Sequence, residues 1–116
     1  MKPIKTENTD DCNVSAGVRV SEETADRICD VFRMLSEPSR LKIVLSLLGG
    51  ELCVYHILES VGGTQSALSH QLRVLKDNRV VRAKRVGQNV YYSLADDHVR
   101  KIVEMGIEHG GCRGEE

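Results

Sequence analysis

Apolar residues recur at helical spacing in five stretches of this chain and at strand spacing in one. Ser21 is a good N-cap, with Glu22 and Glu23 in the first turn behind it. Ile28, Val31, Phe32 and Leu35 follow at three- and four-residue steps and predict a first helix. It should stop near Ser36, because Pro38 disfavours helical backbone at Glu37 and suits the first turn of the next helix. Leu41, Val44, Leu45 and Leu48 form the stripe of that second helix, and Gly49-Gly50 ends it. A short third helix is read from Glu51 to Val61, with Leu52, Tyr55, Ile57 and Leu58 apolar. Gly62-Gly63 makes a turn, and Thr64 caps a fourth helix over about residues 65–78. Leu68, Leu72 and Leu75 of this helix point inward, while Ser66, Ser69, His70 and Arg73 form a polar stripe on another side. Then the period changes to two. Val81 and Ala83 alternate with Arg82 and Lys84, and Val90, Tyr92 and Leu94 alternate after Gly87-Gln88-Asn89, which predicts a β-hairpin. A last helix begins near Asp96 with Val99, Ile102, Val103 and Ile107 apolar, and three glycines weaken its end. Residues 1–20 lack sustained periodicity and read as a mobile tail, residues 21–112 as one domain, and residues 113–116 as a short C-terminal tail.

The order is mostly α with a β-hairpin, which is that of a winged helix-turn-helix. Charge sharpens the picture. The net charge of −1 hides a segment, residues 65–94, with six basic side chains against one acidic. One thirty-residue stretch therefore carries the positive field that a small domain needs to meet a phosphate backbone. With three Tyr, one Phe and no Trp, there is little material for stacking single-stranded bases, so double-stranded DNA is the expected partner. Ser66, Ser69 and His70 suit base edges in the major groove, and Arg73 suits phosphate or guanine. Lys84, Arg85 and Gln88, near the hairpin turn, suit backbone or minor groove. No apolar run approaches the roughly 20 residues that span a bilayer, and four scattered cysteines in 116 residues do not make a disulfide scaffold. Both points favour the cytoplasm and no membrane partner. No Ser/His/Asp set, His-Glu-x-x-His or phosphate loop appears, so neither an enzyme nor a small organic substrate is expected.

Cysteine and histidine raise a metal question. His98 and His109 lie eleven residues apart on the last helix, within about 20° of one face but about 16 Å apart along the axis. Two imidazoles at about 2 Å from one ion cannot span that. Either they are unrelated, or each meets the other end of an antiparallel partner helix in a two-fold dimer. Asp96 lies beside His98, and Cys112 lies three residues beyond His109. Ile102 and Met105 share their stripe and would form the seam. Cys53 and His56 share a face of the third helix at i, i+3, and the tail could bring Cys12 to them, as a second metal or redox site. Cys29, beside the first helix's core stripe, is expected to pack.

At four places the residues resemble one family, the ArsR–SmtB metal-sensing repressors. Ser36-Glu37-Pro38-Ser39-Arg40-Leu41-Lys42-Ile43 resembles its Asp-Pro-Thr-Arg-Leu segment, and Glu51-Leu52-Cys53-Val54 its Glu-Leu-Cys-Val box. Gln65-Ser66-Ala67-Leu68-Ser69-His70-Gln71-Leu72 is similar to its recognition-helix signature, which adds Gln65 to the DNA-binding set. Gly87-Gln88-Asn89-Val90-Tyr91-Tyr92-Ser93-Leu94 resembles the return strand of its wing. The resemblance implies a winged-helix homodimer, joined through its N- and C-terminal helices, that represses by occupying an operator and is released by a metal. It also implies a C-terminal-helix site built from Asp96 and His98 of one subunit with His109 of the other, where Cys112 replaces the family's usual last ligand. Sulfur there tilts the site toward zinc or cadmium over a purely oxygen-liking ion; zinc is the leading expectation, with cadmium, cobalt and nickel as further members of the divalent class. A thiol-redox repressor of the same fold, working through Cys12 and Cys53, is the alternative. In the second box Tyr55 stands where thiophilic sensors carry another Cys.

Overall fold

The computed structural model describes residues 17–111. Cys12 and Cys112, both expected ligands, and the expected C-terminal tail lie outside the described residues. The chain divides into two compact units, one ending at Phe32 and one starting at Arg33. The first holds most of helix α1 (Glu22–Leu35). Its start is as expected: the Ser21 hydroxyl accepts from the Thr24 amide at 3.1 Å. Ile28 and Phe32 are exposed, and so is Cys29, which departs from the packing role expected for it. The neighbouring stripe residues are exposed with it, so within one chain this part of α1 offers Cys29 no buried face to pack on.

The second unit holds the remaining elements. Helix α2 (Pro38–Ser46) opens on Pro38, with the Glu37 carboxylate accepting from the Arg40 amide at 3.0 Å. It buries Ile43 and Val44, with Leu47 just beyond its end, and leaves Leu45 exposed. Regular helix stops at Ser46, three residues before the glycine pair, in a turn where the Gly50 amide reaches the Leu47 carbonyl at 3.1 Å. The third element is a larger departure. Glu51 does not start a helix; Leu52–Cys53 form a short strand β1, and α3 runs only over Val54–Val61. Backbone pairing with a distant strand takes these residues out of helical geometry. Tyr55 of α3, expected on its apolar side, is exposed.

Helix α4 (Gln65–Asp77) follows the left-handed glycines 62 and 63, and the Thr64 hydroxyl accepts from the Ala67 amide at 3.1 Å. Strands β2 (Val81–Val86) and β3 (Asn89–Leu94) form the hairpin, with Asn89 already in strand. The sheet order is β1-β3-β2, all antiparallel, so the hairpin carries a third strand. Helix α5 (Asp97–Gly111) closes the unit. The core gathers Ile43, Leu47 and Ile57 with Leu68, Leu72 and Leu75 of α4, then Val81, Leu94, Val99 and Val103. Each such burial is worth roughly 1.5–3 kcal/mol, which fixes α4 and the hairpin on one scaffold.

Candidate nucleic-acid interface and metal ligands

The inward face of α4 is buried through Leu68, Leu72 and Leu75, and this leaves Gln65, Ser66, Ser69, His70 and Arg73 exposed. The face continues one turn beyond the expected set, to Lys76, seven residues from Ser69. Short polar side chains near the start of the helix let its backbone approach a groove floor, and cations follow toward its end. Arg40 holds this helix to its neighbours. Its Nε donates to the Met34 carbonyl at 3.0 Å and its Nη1 to Gln71 of α4 at 3.4 Å. One guanidinium thus closes the end of α1 and touches the helix that carries the polar stripe.

Cross-strand partners in the hairpin share a face. Val81 and Leu94 are partners and both buried, so Ala83, Arg85, Val90 and Tyr92 stand on the face turned toward the helices. Arg82, Lys84 and Tyr91 stand on the other face, in register with Cys53 of β1. Two adjacent basic residues expected to act together therefore point apart. Arg85 lies on the α4 side, whereas Lys84 Nζ lies 3.5 Å from the Glu51 carboxylate. Gln88 is exposed in the turn, beside Gly87 at a φ of +65°.

The candidate ligands come in twos. Asp96 sits immediately before α5, where its Oδ1 accepts from the Val99 amide at 3.1 Å. Its Oδ2 lies 3.6 Å from Nδ1 of His98, and both side chains are mostly exposed. His109 is exposed near the other end of the same helix. In the second pair, Cys53 Sγ lies 3.3 Å from His56 Nδ1. Among the described residues no group of three or more His, Cys, Asp or Glu comes together to hold an ion. A carboxylate oxygen with an imidazole, and a thiol with an imidazole, are donor sets that suit borderline divalent ions. Helix α5 is itself held down near its first turn: Arg100 Nη1 donates to the Leu48 carbonyl, beyond the end of α2, at 2.8 Å, and lies 3.7 Å from Glu104.

Lys76 and Tyr92 line an open cleft beside Ser69 and Arg73 and were not among the expected site residues. The first is reachable by extending the polar stripe one turn. The second belongs to a hairpin alternation that marks it as inward without saying what it faces.

Comparisons with known proteins bear on this geometry. Residues 37–83 match the family model described as bacterial regulatory protein, arsR family. A transcriptional repressor SmtB homologue from Synechocystis is 41% identical over 90 residues, covering 78% of this chain and 68% of its own. The regulator NmtR of Mycobacterium tuberculosis is 38% identical over 90 residues, covering 78% and 75%. A solution structure of apo-NmtR superposes with a TM-score of 0.71 at 33% identity, over 95% of this chain and 91% of that one. The homodimeric winged helix-turn-helix DNA-binding domain of Mb0332 from Mycobacterium bovis superposes with a TM-score of 0.69 at 26% identity, covering 84% and 95%.

Proposed function

The chain belongs to the ArsR family of bacterial regulatory proteins, DNA-binding transcriptional regulators rather than enzymes, and from that premise we propose that it is a metal-responsive repressor. In this reading it is a cytoplasmic homodimer, paired through its first and last helices, that occupies double-stranded operator DNA. Gln65, Ser66, Ser69, His70 and Arg73 face the major groove, with Lys84, Arg85 and Gln88 of the wing beside them. A divalent ion of the zinc and cadmium class releases it. Zinc is the leading candidate, and cobalt and nickel belong to the same class.

The observation that carries the reading is the Asp96–His98 pair, exposed at the start of α5, with His109 exposed eleven residues further along. One chain offers half a coordination sphere at each end of the helix. An antiparallel partner helix completes each half, with His109, and Cys112 beyond it, supplying the opposite ends. Exposure of Ile28, Phe32 and Met105 supports a partner over the same helices, as does the homodimeric state of the Mb0332 domain. An ion bound there ties two subunits together at the seam. Arg100, two residues past His98, holds α5 to the segment after α2, so the seam is linked to the scaffold that carries α4. Metal releases DNA only if it binds the DNA-free form better, and a coupling of about 1–3 kcal/mol weakens operator affinity roughly 5- to 150-fold.

Subunit mixing tests this. His98→Ala and His109→Ala should each lose zinc-induced release while retaining duplex binding. Mixed heterodimers should regain one complete site, because one chain keeps His109 and the other keeps His98. A site contained in one chain recovers nothing on mixing, and that result rejects the proposal.

The 3.3 Å approach of Cys53 to His56 favours a second reading, in which this pair joins Cys12 as a further metal site or as a redox pair. Stoichiometric zinc binding by the reduced Cys53→Ser protein, with release intact, assigns the response to α5 instead.

A further inference from the structure

A helix in the major groove and a wing in the neighbouring minor groove are separated on a duplex by one sugar–phosphate strand. That strand has to cross the protein between α4 and the hairpin. At that place the structure has an open cleft of about 370 Å³, lined by Ser69, Arg73, Lys76 and Asp77 of α4 and by Tyr92 of β3. The geometry points to this cleft as a seat for a single phosphodiester of the crossing strand, with Lys76 and Tyr92 as contact residues alongside Ser69 and Arg73. This inference rests on the DNA-binding reading above and adds to it a defined subsite.

Its chemistry fits a diester. Two cations and one carboxylate leave the lining with a net charge of +1, against the single negative charge of a backbone phosphate. A free phosphate, partly dianionic near neutral pH, exceeds the charge of the lining and meets Asp77 as a like charge. Arg73 supplies a planar fork of donors, and Lys76 supplies a point charge. Ser69 and Tyr92 supply hydroxyl donors. The walls are also fixed before DNA arrives. Tyr92 pairs with Leu52 on one side and Ala83 on the other, in the middle strand of the sheet. Leu72 and Leu75, buried under Arg73 and Lys76, fix the opposite wall. A subsite between two rigid walls sets the distance between helix and wing on the duplex, so these residues position rather than read sequence.

The test uses the full-length protein, a duplex selected from a random library, and an unselected duplex of equal length. Lys76→Gln should weaken binding to both by the same factor, about tenfold, which is a typical loss for a charge-assisted contact. The slope of log affinity against log salt should shrink by about 0.9, the share of one phosphate contact. Lys76→Arg should restore both. Tyr92→Phe should weaken binding about threefold with the slope unchanged, since it removes a neutral donor only. Methylphosphonate substitution along the selected duplex should reveal one position in each half-site whose neutralisation weakens the parent protein and leaves Lys76→Gln unaffected. If the parent binds duplex but Lys76→Gln keeps its slope and phosphonate profile, the subsite is overturned and the DNA-binding reading stands. If the parent binds neither duplex, both fall. Titration with sodium phosphate, followed by amide shifts of residues 69–77 and 92, separates the two sources of the anion. Saturation below about 1 mM, lost in Lys76→Gln while duplex binding is untouched, assigns the cleft to a free anion and overturns the proposal.

Discussion

Asp96 caps α5 with one carboxylate oxygen and, in the proposed reading, holds metal with the other, and two substitutions separate the two roles. Oδ1 caps α5 through the Val99 amide at 3.1 Å, and Oδ2 faces His98 at 3.6 Å. Asp96→Ala removes the cap and the proposed ligand together. Loss of an N-cap acceptor costs about 1 kcal/mol, and for a domain of this size that lowers Tm by roughly 4–8 °C. Asn caps about as well as Asp, and the charge it lacks at the positive helix end is worth about 0.3–1 kcal/mol at an exposed site. Metal-free Asp96→Asn should therefore melt within a few degrees of the parent and clearly above Asp96→Ala. Toward zinc the two variants should behave alike, because a neutral amide is a poor replacement for a carboxylate. The loss should be on the order of 10- to 100-fold or more, the range for even an outer partner of a zinc ligand. Thermal unfolding by circular dichroism at one protein concentration reads the first quantity, since dimers melt in a concentration-dependent way. Chelator competition reads the second. Equal destabilisation of Asn and Ala variants would refute the cap argument, and full zinc affinity in Asp96→Asn would remove Asp96 from the ligand set.

Two further outcomes follow from the second unit. Arg79 follows the α4 C-cap at a φ of +62°, a left-handed conformation that costs a non-glycine residue about 1–2 kcal/mol. Arg79→Gly gives back about 0.5–1 kcal/mol as unfolded-chain entropy, so a small net rise in Tm is expected, and an unchanged or lower Tm contradicts it. Glu51→Gln releases Lys84 from its 3.5 Å pairing and removes a negative charge beside the wing. Affinity for selected and random duplex alike should rise a few-fold at low salt, at a stability cost under about 1 kcal/mol; a fall in affinity would show that the pairing orients Lys84 usefully.

What was legible in the sequence was local. Pro38, Thr64 and Ser21 mark helix starts because capping and proline geometry act within four residues. The hairpin was legible because Val81 to Leu94 alternate at period two. The face of α4 followed from Leu68, Leu72 and Leu75. Strand β1 was hidden, because Leu52–Cys53 are extended only through Tyr91 and Tyr92, nearly forty residues away. The buried face of α2 was misplaced toward Leu45 for a similar reason: α3 and α4 pack against it and select Ile43 and Leu47. Asp96 and His98 were visible from their spacing, but the capping role of Asp96 needed coordinates. The opposite directions of Lys84 and Arg85 were implicit in strand alternation, yet only the burial of Val81 and Leu94 says which of the two faces α4. The cleft below Tyr92 joins two elements and has no linear signature.

Among the described residues, the sheet order β1-β3-β2 leaves β2 with one unpaired edge along its whole length. Such an edge invites another chain to add a strand. Three of the six β2 residues, Arg82, Lys84 and Arg85, are cationic, and like charges on an incoming copy of the same strand repel it. Under the proposed function, the charges of Lys84 and Arg85 that offer the wing to DNA thus also disfavour pairing of one wing with another. In that reading, resistance to self-pairing and nucleic-acid affinity are drawn from overlapping charges. Neutralising the wing to weaken binding therefore exposes a bare, Val-flanked edge, and a repressor weakened in this way becomes more prone to self-association.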